Sequence, residues 1–134
     1  MRAEKLILFI GGRQTQWPAL ERALGELGIA DGVLYADGMN QALIYLENRE
    51  EPVPSVVLLT IDGDDALEAL KILKADERLG QTPVVVLANS NDERLVNESF
   101  ARGGAGYMVE PGDIGEFARA IRIVRDYWSL SELP

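Results

Sequence analysis

Few stretches of the chain hold side chains that could do chemistry. The segment "SVVLLTIDGDD" (55–65) ends an apolar run on Thr60 and then places acids at Asp62, Asp64 and Asp65. Carboxylates that close could hold a hard cation, which takes oxygen ligands. The same spacing suits a helix start, where an aspartate accepts from backbone N–H groups and its charge is favoured by the helix dipole. We read the acids in this second way, with Asp64 or Asp65 capping a helix. Thr60 is a weak nucleophile without an adjacent base. Its β-branched side chain suits a strand, and its hydroxyl can satisfy a local backbone group. "GGR" (11–13) could pass for a phosphate-cradling turn. It lacks the lysine of a P-loop and the glycine spacing of a dinucleotide site, so it reads as a plain turn.

What the composition lacks narrows the chemistry further. There is no cysteine, hence no disulfide and no thiolate ligand. There is no histidine either, which removes the commonest general base and metal ligand. The net charge of −9 repels a phosphate backbone, so nucleic acid is not an expected partner. No apolar run reaches the length of a membrane span and the N-terminus is too short for a signal peptide, so the expectation is a cytoplasmic protein. A length of 134 residues fits one domain, 1–134, with enough chain to bury a core.

These residues must be held by ordered elements, and the sequence marks them. "LILFI" (6–10), "SVVLL" (55–59) and "PVVVLA" (83–88) are continuous apolar runs rich in β-branched residues, as in strands buried on both faces. Weaker strands fit 32–36 and 106–109. Helical spacing groups Leu20, Ala23, Leu24 and Leu27, then Met39, Ala42, Leu43 and Leu46. It also groups Leu67, Leu70 and Leu73, then Leu95, Val96, Ser99 and Phe100. Ile114, Phe117, Ile121, Val124 and Trp128 mark a fifth helix. Ser90 with Glu93, and Asp113 with Glu116, have capping-box spacing. Gly28 and Gly103 stand where helices should stop. Pro18 belongs in a first turn, so the first helix should begin near Gln16. Five alternations of strand and helix predict an α/β, doubly wound, five-stranded parallel sheet with five helices. Ligands of such sheets sit beyond the carboxyl ends of the strands.

The order and lengths of these pieces resemble the receiver domain of two-component response regulators over nearly the whole chain, most clearly in "ALEALKILKADERLGQTPVVVLANSNDERLVNESFARGGAGYMVEPGDIGEFARAI" (66–121). The closing "RDYWSLSELP" is similar to the tail of small stand-alone receivers, including those partnered with bacterial phytochromes. The resemblance implies a flavodoxin-like strand order, 2-1-3-4-5. It also implies phosphoryl transfer to an aspartate after the third strand, with Mg²⁺ held by an acidic pair after the first. A Ser or Thr after the fourth strand and a Lys after the fifth would bind the phosphoryl oxygens. In this chain the acidic pair falls on Ile10 and Gly11, with Gly12 next. The acceptor falls on Thr60, the Ser/Thr on Ala88 and the Lys on Glu110. All depart from the pattern; only Tyr107, at the aromatic switch position, and Pro111 keep the family's residue types.

Chemistry agrees with that departure. "FIGGR" offers no side-chain oxygen to a metal, and Glu110 would repel a phosphate where a cation should clamp it. Arg13 and Glu110 reverse the signs implied for this pocket, either as a salt bridge closing it or as independent surface charges, which are worth little. Without a phosphoryl trigger, Tyr107 is expected to be static and half-buried. On the last helix, Ile123, Tyr127 and Leu130 form a second apolar stripe that a monomer would leave in water.

The sequence therefore predicts a degenerate receiver that is not an enzyme and carries no cofactor and no metal. Its function would be phosphorylation-independent protein–protein interaction in bacterial signalling. The partner would be a kinase, a photoreceptor or another regulator, and the last helix would form a homodimer. One rival is a phosphorelay receiver using a displaced Asp62 or Asp64. Another is a small-molecule sensor on the same sheet, although no aromatic or phosphate-binding cluster supports it in the sequence.

Overall fold

The computed structural model describes residues 6–11, 17–29, 32–48, 53–60, 63–77, 79–88 and 91–131, the side chains at 63, 64, 66 and 128–131 excepted. Strands β1 (Ile7–Gly11), β2 (Val33–Ala36), β3 (Val56–Thr60), β4 (Val84–Ala88) and β5 (Gly106–Val109) alternate with five helices. These are α1 (Trp17–Glu26), α2 (Met39–Glu47), α3 (Gly63–Ala75), α4 (Glu93–Ala101) and α5 (Ile114–Ser131). All pairings are parallel and the order is β2-β1-β3-β4-β5, as expected.

The sheet divides two cores. Ile7, Phe9, Leu58 and Leu87 face α1 and α5. Leu8, Ile10, Leu59 and Val86 face the other way, among side chains of α2 and α3, with α4 packed beside α3. Successive strand residues point to opposite faces, and here both faces are dry. That is why the central strands read as unbroken apolar runs.

Helix ends follow the glycines. α1 stops at a Schellman motif: Gly28 has φ 78°, its N–H donates to the Gly25 carbonyl, and the Ile29 N–H donates to that of Leu24. α4 stops in the same way, with Gly103 at φ 100° and the Gly104 N–H donating to the Ser99 carbonyl at 2.8 Å. Asp113 caps α5 as expected, its carboxylate accepting from the Glu116 N–H at 2.9 Å.

Three local expectations need correction. The cap of α4 is Asp92, which accepts from the Arg94 and Leu95 N–H groups, and not Ser90. A carboxylate caps as well as a hydroxyl and gains from the dipole. Since α3 begins at Gly63, Asp64 and Asp65 lie inside its first turn and not at the cap position. Phe100 is 49% exposed while its neighbour Ser99 is buried. The inward stripe of α4 runs through Leu95 and Ser99, an i,i+4 pair, and leaves Phe100 on its flank.

The fold also gathers aromatic residues that stand far apart in the sequence. Phe9 lies 5.9 Å from Tyr35 and 6.0 Å from Phe117, and Trp17 stacks on Tyr35 at 4.7 Å, by ring centroids. The Trp17 indole N–H and the Tyr35 hydroxyl are buried without a hydrogen-bond partner. Burial, with the Glu21 carboxylate adding to it, pushes the Tyr35 phenol up to about 12.

Candidate functional site at the carboxyl ends of the strands

β1 and β3 end side by side, with Gly11 in register with Thr60. The Thr60 hydroxyl donates to the Ile10 carbonyl at 2.9 Å. The sequence points to a local backbone partner for this hydroxyl; the structure supplies one from the neighbouring strand. A β-branched residue at a strand end holds its hydroxyl toward the adjacent backbone with little freedom to leave. Ile10 takes part only through its carbonyl, because its side chain is fully buried in the core facing α2 and α3. Gly11 leaves the strand with φ 89°. L-residues with side chains rarely occupy that region, so glycine suits the exit from β1.

A second pair lies at the same end of the sheet. Ala88 is in register with Val109, and the Glu110 N–H donates to the Ala88 carbonyl at 2.8 Å. Ala88 and Glu110 are both half-buried. The structure thus brings together Ile10, Gly11 and Thr60 on one side, and Ala88 and Glu110 on the other. Tyr107 sits on β5, half-buried, and packs against the core that faces α2 and α3. Arg13 and Asp62 lie outside the described residues, as do the side chains of Asp64 and Leu130.

A receiver's Mg²⁺ needs carboxylate oxygens beside the acceptor. At the ends of β1 and β3 the residues do not fit it: glycine has no side-chain oxygen, the Ile10 side chain faces the core, and the Thr60 hydroxyl is committed to a carbonyl. Among the described residues no group of three or more His, Cys, Asp or Glu side chains is placed to hold a metal ion. No described helix is long and apolar enough to cross a membrane.

No protein-family model matches the chain, and no curated protein matches it. Among solved structures, the phosphorylated cyanobacterial phytochrome response regulator RcpA is 21% identical, with a TM-score of 0.77 over 98% of this chain and 97% of that one. Response regulator RPA3017, in red light signalling of R. palustris, is 22% identical, with a TM-score of 0.77 over 92% of each chain. A response regulator receiver domain from Rhodospirillum rubrum is 23% identical, with a TM-score of 0.73 over 96% of each. The strand order, the five helices and these full-length superpositions establish that the chain has the receiver fold of response regulators.

Proposed function

We propose that this chain is a phosphorylation-independent receiver: a cytoplasmic protein–protein interaction module of two-component signalling, without enzymatic activity of its own. The observation that carries the reading is the Thr60–Ile10 hydrogen bond. It stands where a receiver needs an ionised nucleophile and a metal, and it joins the two strands directly. Phosphoryl transfer is catalysed by positioning and charge neutralisation. Glu110, at the position of the cation, works against the second of these.

The test is incubation with acetyl phosphate and Mg²⁺, followed by intact mass spectrometry. We expect no phosphoryl adduct and no Mg²⁺-dependent change in melting temperature at millimolar metal. A saturable phosphoryl adduct that Asp62→Ala abolishes would instead establish the displaced-aspartate phosphorelay reading.

The neighbours support a signalling partner: one is a phytochrome response regulator and another acts in red light signalling, in keeping with a kinase, a photoreceptor or another regulator as the protein that docks here. We further propose a homodimer through α5. Ile123 and Tyr127, an i,i+4 pair on that helix, are 65% and 60% exposed, and Leu130 continues their spacing. Ile123→Glu combined with Tyr127→Glu should give a folded monomer, since those charges would have to be desolvated in a dimer but cost little on an open face. Light scattering decides the point; a wild type that stays monomeric at high concentration removes the dimer.

A further inference from the structure

Trp17, the first residue of α1, stacks on Tyr35 of the edge strand β2 at 4.7 Å between ring centroids. The polar tips of both rings are buried without a hydrogen-bond partner, and no other side-chain nitrogen or oxygen among the described residues is placed in that way. An indole N–H can only donate, and a phenol can donate and accept. Each gave up water on folding and gained no bond in return, which is the costly case for a polar group. The same desolvation, with the Glu21 charge adding to it, raises the pKa of Tyr35. We propose that the first turn of α1 is a latch, opening locally to swing Trp17 off Tyr35 while the sheet and the rest of the helix stay folded.

Ring burial closes the latch, since the stacked faces are apolar. Rehydration opens it, because both tips regain water when the rings part. At Phe9 and Phe117 burial acts alone, for those rings carry no polar atom. The opening can also stop short of the core. Pro18 is exposed and has no backbone N–H to lose, and Ala19 is only half-buried. The anchors of the helix, Leu20 at 1% and Leu24 at 0% exposure, come after them. The hinge therefore falls between Trp17 and Leu20, where the least packing is broken. From Tyr35 the rings continue to Phe9 at 5.9 Å and on to Phe117 of α5 at 6.0 Å. The latch thus stands at one end of an aromatic path whose other end is α5.

The experiment is hydrogen exchange of the full chain followed by NMR, with the Trp17 indole signal identified by its loss in Trp17→Phe. The Trp17 indole N–H should be protected at least about tenfold less than the backbone amides of β3, and its exchange should barely respond to low urea, because a local opening exposes little surface. Tyr35→Phe removes one of the two groups that gain from opening. It should slow the indole exchange several-fold and leave the urea midpoint no lower than that of the wild type. An indole N–H protected as strongly as the β3 amides, with their urea dependence, overturns the proposal, since release would then require global unfolding. So does a Tyr35→Phe protein with a lowered midpoint or an unchanged indole exchange, because the hydroxyl would then not favour the open form.

Discussion

Thr60→Asp should give a protein that acetyl phosphate still does not phosphorylate and that is less stable than wild type by about 2–4 kcal/mol. The substitution removes a donor worth ~1 kcal/mol and leaves the Ile10 carbonyl facing an unpaired carboxylate, for a further ~1–3 kcal/mol of desolvation. Denaturant midpoints across a short series separate these terms. Thr60→Ser, which keeps the hydroxyl, should stay near wild type. Thr60→Val, which keeps the shape, should lose only the hydrogen bond. Adding Gly11→Asp to rebuild an acidic pair would lower stability again, because Gly11 has φ 89° and a side chain there costs about 1–2 kcal/mol. The site would therefore have to be restored against the backbone and not only by exchanging side chains. A labile phosphoryl group on Thr60→Asp alone would refute the degenerate reading.

Gly104→Ala should destabilise the fold by about 1–3 kcal/mol, the range for forcing atoms into a packed region. The new Cβ would stand 2.9 Å from the Ser99 carbonyl oxygen, which already accepts from the Gly104 N–H, and 3.4 Å from Leu70 Cδ2. Backbone cannot swing aside as the end of a side chain can. The whole turn between α4 and β5 would have to shift, carrying Tyr107 with it. Gly112→Ala is the control, since nothing lies within 4 Å of its Cβ. Urea unfolding of both variants decides; equal midpoints would mean that the turn is softer than its contacts imply.

Much of this architecture is written in local signals. The three central strands were legible because a two-sided sheet forces continuous β-branched runs, and all five strands fall within a residue or so of the expected positions. Gly28 and Gly103 were legible as helix stops because a left-handed residue there is almost a glycine monopoly. Failures came where several residues compete for one role. Ser90, Asn91 and Asp92 can all cap a helix, and only the backbone path selects Asp92. Phe100 sits beside Ser99 on the edge of one apolar arc, and sequence cannot fix the rotation of α4 to the needed precision. The clustering of Phe9, Trp17, Tyr35 and Phe117 depends on strand register and so has no sequence signature. At the candidate site, the missing carboxylates were plain in the sequence. The partner of the Thr60 hydroxyl was not, because it lies fifty residues away along the chain.

The place of β1 in the sheet bears on how the chain reaches this state. β1 comes first of the five strands and stands second in the sheet, paired with β2 on one side and β3 on the other. Its residues 7–10 are almost wholly buried. Until β3 has been synthesised, the segment "LILFI" has no complete place to go. It is apolar, uncharged and free of proline, the composition that pairs readily with copies of itself. Newly made chains therefore carry this aggregation-prone segment for some time without its native cover. Yield on expression should depend on how quickly β3 arrives, so slowing translation between residues 11 and 56 would be costlier than slowing it after β3 is complete.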